Sequence, residues 1–229
     1  MKAVPVLTAL SAAMIPGVLS AATILVGGSV NNGNFNDNSL SAAAGERTFA
    51  NTLFWDKLDP GTYVQATTDA LLGGLVDRNH FVRRSSTAGY SIAAGNTGHT
   101  IAVGDVYDVA YTWVDGSGWA DATDQITIRL FTTSDNTLAG IVNYIATINS
   151  GVKGATSSPT SQFVDQNAFF TATAAEAGKT LFVAITSVGT STNAFGRVDD
   201  FFLEVTAVPE PGAALLSGLG MLALLRRRR

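Results

Sequence analysis

The chain has 229 residues, 46% of them apolar and 14% charged, with 18 Asp and Glu against 14 Lys and Arg and no Cys. That apolar share excludes a wholly disordered chain, and the aperiodic glycines exclude collagen. The lack of Cys excludes a disulfide framework, a thiolate metal site and a cysteine nucleophile, leaving one domain of ordinary size with additions at its ends.

Met1-Lys2-Ala3 leads an apolar stretch over 4–19, followed by Ser20-Ala21-Ala22. One positive charge, an apolar core and small residues before a change of composition form the layout of a secretory signal peptide, cleaved between Ser20 and Ala22. Pro5, Pro16 and Gly17 weigh against the other reading, a helix packed inside the domain. Residues 1–22 are therefore expected to be a signal helix, and 23–207 the exported domain.

Through that domain the apolar residues repeat with period 2 rather than 3.6. Strands are expected at 52–55, 62–67, 81–84, 106–114, 125–131, 141–148, 168–173, 180–186 and 197–205. The run over 106–114 is β-branched and aromatic, led in by Gly104-Asp105 and stopped by Asp115-Gly116-Ser117-Gly118. In 125–131, Ile126, Ile128 and Leu130 fall on one face and Gln125, Thr127 and Arg129 on the other, the pattern of a half-buried strand. The sequence allows a short coil at 68–75 and another at 174–179, the latter reading better as a connecting loop. Neither is long enough for the crossover helix of a parallel sheet. The stretch 149–162, rich in Ser, Thr and Gly, is the longest irregular piece. Many short strands with turns between them, and no repeat of 20 to 50 residues, point to an antiparallel sandwich.

Between 23 and 207 there are 17 Asp and Glu and 9 Lys and Arg, a net of 17 minus 9, or −8. Arg83-Arg84 is the one basic pair and reads as a solvated strand edge, so no nucleic-acid partner is expected. His80 and His99 are too far apart in sequence to read as a metal pair, and no Gly-x-Ser-x-Gly elbow or phosphate-binding loop occurs. Glu46, Glu176 and Glu204 are the only glutamates of the domain, and sequence alone places no carboxylate pair at glycosidase spacing. Binding a sugar needs an exposed aromatic plane with polar groups beside it. Trp119, in the Gly, Ser and Asp-rich stretch 115–124, with Asp121 two residues on, is the candidate, whereas Trp55 and Trp113 lie in apolar strands and belong to the core. The aspartates of that stretch lack EF-hand spacing, and it reads as a hairpin loop.

After the last strand come Val208-Pro209-Glu210-Pro211-Gly212, an apolar run over 213–225, and Arg226, Arg227, Arg228 and Arg229. The run makes about 20 Å of helix, against roughly 30 Å of hydrocarbon, and so forms a short transmembrane helix suited to a temporary anchor. The arginines act as the membrane stop and hold that end on the cytoplasmic side.

This tail resembles the PEP-CTERM sorting signal of Gram-negative bacteria that make exopolysaccharide, over 208–229. Pro209, Glu210 and Pro211 match the defining tripeptide. The resemblance implies processing near it by an exosortase, a membrane-embedded transpeptidase that frees or re-anchors the domain at the cell surface. An ordinary tail anchor, retained intact, is the other reading.

A second resemblance covers the two ends of the domain. Val30-Asn31-Asn32-Gly33-Asn34-Phe35-Asn36-Asp37, an early Trp (Trp55) and Val198-Asp199-Asp200 near the close are similar to the galactose-binding-like jelly rolls of carbohydrate-binding modules. That family commonly has Glu after the Phe, where this chain has Asn36 and Asp37. The resemblance implies a structural calcium between first and last strands. Asn34, Asp37, Asp199 and Asp200 would supply oxygens for it; the alternative is that they only make turns and solvate strand ends.

The expected protein is thus an all-β, antiparallel jelly-roll-like sandwich flanked by an N-terminal signal helix and a C-terminal transmembrane helix. It passes through the secretion translocon and an inner-membrane intermediate to the cell surface or medium. Its expected role is structural or adhesive, without catalysis, through exopolysaccharide. The alternatives are a secreted carbohydrate-active enzyme or its binding module, and a subunit pairing with other surface proteins.

Overall fold

A computed structural model describes residues 21–35, 54–57, 63–67, 80–84, 92–115, 125–150, 161–188, 196–208, 219–220 and 226. Eleven strands follow in order: β1 (Ala22–Val26), β2 (Asp56–Lys57), β3 (Tyr63–Thr67), β4 (His80–Arg84), β5 (Ile92–Thr100), β6 (Val106–Asp115), β7 (Gln125–Thr133), β8 (Val142–Asn149), β9 (Ser161–Thr171), β10 (Thr180–Val188) and β11 (Gly196–Thr206). They form two antiparallel sheets. One has six strands, in the order β3-β4-β11-β6-β9 with β1 also paired to β11; the other has five, β2-β5-β10-β7-β8.

Period-2 alternation sends Tyr107, Val109, Tyr111 and Trp113 of β6 inward, where they meet Ile126, Ile128 and Leu130 of β7 and Leu181, Val183 and Ile185 of β10. Trp55 and Trp113 are buried as expected. The half-buried reading of β7 needs correction: its second face is also covered, with Phe131 stacked on Phe182 at 5.2 Å beside Ala94 and Ala184. Leu138 and Val142 pack onto this second cluster. The loop between β7 and β8 folds back onto the sheet, which no alternation within β7 can announce.

Seven of the expected strands coincide with observed ones, from β3 to β11. The expected 168–173 begins late, because β9 starts at Ser161 and its outward Asp165 and Gln166 dilute the apolar signal. In place of 52–55 the chain turns at Phe54, with φ of 77°, and β2 follows Trp55. Two strands were unforeseen. β5 contains Gly95 and Gly98 and lacks alternation, yet it pairs with β10 over most of its length. A Cβ at Gly95 would collide with the Phe54 ring, so the glycine admits that ring against the sheet. β1 lies where only a cleavage boundary was read, and Ala22 stands opposite Thr206 of β11.

That register brings the entry and exit of the sandwich to one end. The turns 101–105, 134–141 and 172–179 share it; 116–124, 151–160 and 189–195 join strands at the opposite end. Residues 174–179 form turns, as expected of a connecting loop. The sandwich is one compact unit, Ala22–Val208, and residues 1–21 with 209–229 form another. In the latter, 219–220 and 226 are helical. Residues 1–20 of the expected signal helix and most of the expected transmembrane helix lie outside the described residues, and Ala22, at the end of the former, stands in β1 rather than in a helix. No helix among the described residues is long and apolar enough to cross a membrane.

Candidate functional site

Gly27 and Val30 exchange backbone hydrogen bonds of 2.9 Å, and the turn continues through Asn31 and Asn32 in the left-handed region at φ of 49° and 51°. Asn tolerates that region better than most residues. Trp55 Nε1 donates to Asn32 O at 3.1 Å, and Phe201 N donates to Gly33 O at 2.9 Å. Phe35 and Phe201 pack on Trp55 at ring separations of 5.4 and 5.6 Å. The opening loop, the early Trp and the closing strand singled out in the sequence therefore meet at one place. Only glycine fits position 33, where a Cβ would lie 2.5 Å from Phe201 O.

Asn34 belongs to this loop, its amide donating to Gly28 O at 3.1 Å. Asp199 is buried and its Oδ1 accepts from Asp200 N at 2.8 Å, while Asp200 is exposed, with φ of 48°, at a bulge in β11. Carboxylate and amide oxygens are the donors calcium takes, but one Asp is buried and the other exposed. Among the described residues no three His, Cys, Asp or Glu gather to hold a metal. Asp37 lies outside the described residues.

The outward face of the six-stranded sheet carries the chemistry that sequence reasoning missed. In one cross-strand row Phe163 of β9 stands opposite Thr112 of β6; in the next, Asp165, Ala110 and Phe202; in the next, Asp108 opposite Glu204. Directly opposed residues of an antiparallel pair lie about 5 Å apart at Cβ. Asp108 and Glu204 thus form a carboxylate pair, and Asp108 Oδ1 also accepts from Ala168 N at 2.5 Å. Phe163 is 66% exposed, an aromatic plane beside carboxylates and a hydroxyl. Tyr144, on the other sheet, is exposed too, but its ring meets the Arg129 guanidinium at 4.6 Å and the Phe131 edge. Of the two, Phe163 has the freer face. Nothing local marked these residues, since their meeting depends on strand register.

Trp119 and Asp121 lie outside the described residues. The strand ends they connect, Asp115 and Gln125, are at the end of the sandwich opposite Val208. At the Val208 end, buried Asp105 takes His99 Nε2 at 2.9 Å, Ala102 N at 2.8 Å and the Tyr107 hydroxyl at 3.3 Å, all on Oδ2. His99 is therefore a partnered histidine, and this cluster ties the β5–β6 turn. Burial, with the Asp105 charge next, pushes the Tyr107 phenol far above its usual range.

Val208 ends the sandwich, and the sorting tripeptide follows it directly. Residues 207–229 are a PEP-CTERM protein-sorting motif. The motif marks an exported protein, anchored transiently in the membrane and processed by an exosortase. Pro209, Glu210, Pro211 and Arg227, Arg228 and Arg229 lie outside the described residues; Arg226 is helical and exposed. No curated protein matches the chain by sequence. Among solved structures, the sandwich is similar to a Stig cyclase, Fisc, of Fischerella sp. TAU. Identity is 11%, 82% of this chain and 100% of that one are covered, and the TM-score is 0.57. An apo cyclase of Fischerella sp. matches at 14% identity over 82% and 98%, TM-score 0.55. The CBM22-1 xylan-binding domain of Paenibacillus barcinonensis Xyn10C matches at 13% over 74% and 100%, TM-score 0.45. At these identities the cyclase likeness is one of fold alone.

Proposed function

We propose that this chain is a surface or matrix protein whose sandwich holds polysaccharide without turning it over, and whose sorting motif hands it to an exosortase at the membrane. The observation that carries the reading is the sorting motif starting where the sandwich stops, at residues 207–208. The protein is built to be delivered, and the delivered part is the sandwich. Polysaccharide is supported by the Phe163 face, where a ring can stack on the C–H side of a pyranose while Asp165 and Thr112 take its hydroxyls. Trp119 and Asp121 extend the reading to the opposite end of the sandwich, away from the anchor. A calcium held by Asn34, Asp37, Asp199 and Asp200 belongs to the same proposal and would stiffen the contact between first loop and last strand.

The test is intact-mass spectrometry of the protein from the native host's surface and medium, beside a variant with Pro209, Glu210 and Pro211 changed to Ala. A species starting near Ala21 and ending near Pro211, lost in the variant, supports the reading. A surface species that keeps Arg229 in both overturns processing.

One observation favours the second reading, a carbohydrate-active enzyme. Asp108 and Glu204 stand directly opposite each other across β6 and β11, and a pair of carboxylates is what glycoside hydrolysis uses. Among the described residues the pair is half-buried on the outward face of a sheet, with no second layer over it to exclude water, which argues for binding. Product release by the wild type that disappears in Glu204→Gln would favour the enzyme; binding unchanged by that substitution, with no product, favours the first reading.

A further inference from the structure

The end of the sandwich from which the sorting motif departs differs in chemistry from the sheet faces. Val103 is 57% exposed there, Ile141 80% and Val208 46%. These are three of the seven large apolar residues that the described part of Ala22–Val208 exposes. Ala102, Ala139, Ala174, Ala175 and Ala207, all exposed, flank them in the same turns and in the exit segment. Val103 and Val208 are neighbours in space, since a Cβ on Gly104 would lie 3.4 Å from Val208 Cβ.

These side chains stand on tied backbone. Ile101 N donates to Lys179 O at 2.9 Å and Gly178 N to Ile101 O at 2.8 Å, joining the first turn to the third. Gly104 N donates to Ala172 O at 2.9 Å, and Thr180 N to Asn136 Oδ1 at 2.9 Å, which brings in the second turn. Charges at this end are few. Asp135 accepts from Thr137 and Glu176 from Thr173, each within its own loop, and Lys179 is half-buried.

Only Pro209, Glu210, Pro211 and Gly212 separate Val208 from the apolar run that begins at Ala213. Four residues span at most about 14 Å when fully extended. The headgroup layer on one side of a bilayer is about 5 to 8 Å thick. With the run in the membrane, the tether holds this end of the sandwich no more than about 6 to 9 Å beyond the headgroups, so its apolar side chains meet the lipid surface first.

We propose that this end is a lipid-docking tip. Val103, Ile141 and Val208 rest at the headgroup–acyl boundary of the bilayer that holds the unprocessed tail, an inference that rests on the sorting reading. The contact is shallow, because Asp135 and Glu176 remain in the aqueous layer beside it. It turns the opposite end, where 116–124 join β6 to β7, away from the membrane and toward whatever the domain binds.

The absence of Cys makes the test direct. Val103→Cys, Ile141→Cys and Phe163→Cys, each at an exposed position, are labelled with an environment-sensitive fluorophore in the full unprocessed chain. The chain is reconstituted into phosphatidylethanolamine vesicles with a minority of phosphatidylglycerol, some carrying a lipid-borne quencher. The labels at 103 and 141 are expected to shift to the blue and to be quenched, whereas the label at 163, on the sheet face, is unchanged. Adding Val103→Asp to the 141-labelled chain should reduce that quenching. Labels at 103 and 141 that behave like the one at 163, in a chain resisting carbonate extraction, overturn the docking tip and leave the sorting reading intact. A chain that carbonate extracts has no inserted tail, and the sorting reading and the tip then fall together.

Discussion

Asp105 shows how much one buried carboxylate can organise. Its Oδ2 gathers donors from His99, Ala102 and Tyr107, so Asp105→Ala leaves three of them without their acceptor. A loss of about 3 kcal/mol is expected in urea unfolding, with Asp105→Asn recovering part of it. Tyr111 presents the converse case: its hydroxyl is buried and has no hydrogen-bond partner among the described residues. Tyr111→Phe should therefore leave stability unchanged or raise it by about 1 kcal/mol, as read from the same unfolding curves. Burial raises the phenol pKa of both Tyr107 and Tyr111 above the usual value, which the unfolded chain retains. Their neutral folded forms thus contribute stability that is complete below about pH 10 and drains as pH rises beyond it. Phenolate absorbance at alkaline pH should show these two tyrosines ionising only as the chain unfolds, and Tyr111→Phe should move that unfolding to higher pH. On the acid side, hydrogen bonds from Thr137 and Thr173 lower Asp135 and Glu176. Their contribution is present above the ordinary carboxylate value and is lost as pH falls through the folded value. Asp135 is exposed and Glu176 partly so, which keeps the effect small.

Among the elements, β11 carries the most connections, pairing with β1, β4 and β6. It is also the last strand of the sandwich, so the six-stranded sheet cannot be assembled before the chain has been made nearly to its sorting motif. The β6–β11 register opposes Asp108 to Glu204, a like-charge pair that destabilises slightly. Glu204→Lys replaces repulsion with attraction and should raise stability by about 0.5 kcal/mol, an increment that added salt diminishes. The same elements show what was legible. β6 and β7 were readable because β-branched and aromatic residues follow one another between turn signals. β5 was not, because its glycines and Asn carry no alternation and β10 imposes the strand by pairing. β1 was hidden behind the signal-peptide reading, since a strand of five residues has too little pattern to stand out from the small residues before it.

At the scale of the whole molecule, the acidic domain, with its net of 17 minus 9 negative charges, stays soluble and offers little to anionic polymers. The proposed polysaccharide should therefore be recognised by stacking and hydrogen bonding rather than by ion pairing. Phe163→Ala is expected to weaken binding to a recognised glycan about tenfold, while thermal unfolding is unchanged because the ring is mostly in water. Isothermal titration alongside a melt separates the two. Because Ala22–Val208 is one compact unit, the domain cut at those residues should fold without either end segment, giving a β-type circular dichroism spectrum and one cooperative transition. In the proposed calcium-binding protein, chelator lowers that transition and added calcium restores it.

The amino-acid sequence by itself determined where the protein goes. A tripeptide before an apolar run and four arginines is a linear pattern, read over a few residues, and folding adds nothing to it. It also determined that the domain is built of strands, because alternation is local. Only the tertiary structure decided what the strands present. The meeting of Asn32, Trp55 and Phe201, the second cluster around Phe131, the Phe163 face with its carboxylates and the apolar end around Val208 each join residues far apart in the chain. Register and the folding back of turns make those contacts, and both are settled by which strands pair, a choice made over the whole sandwich at once.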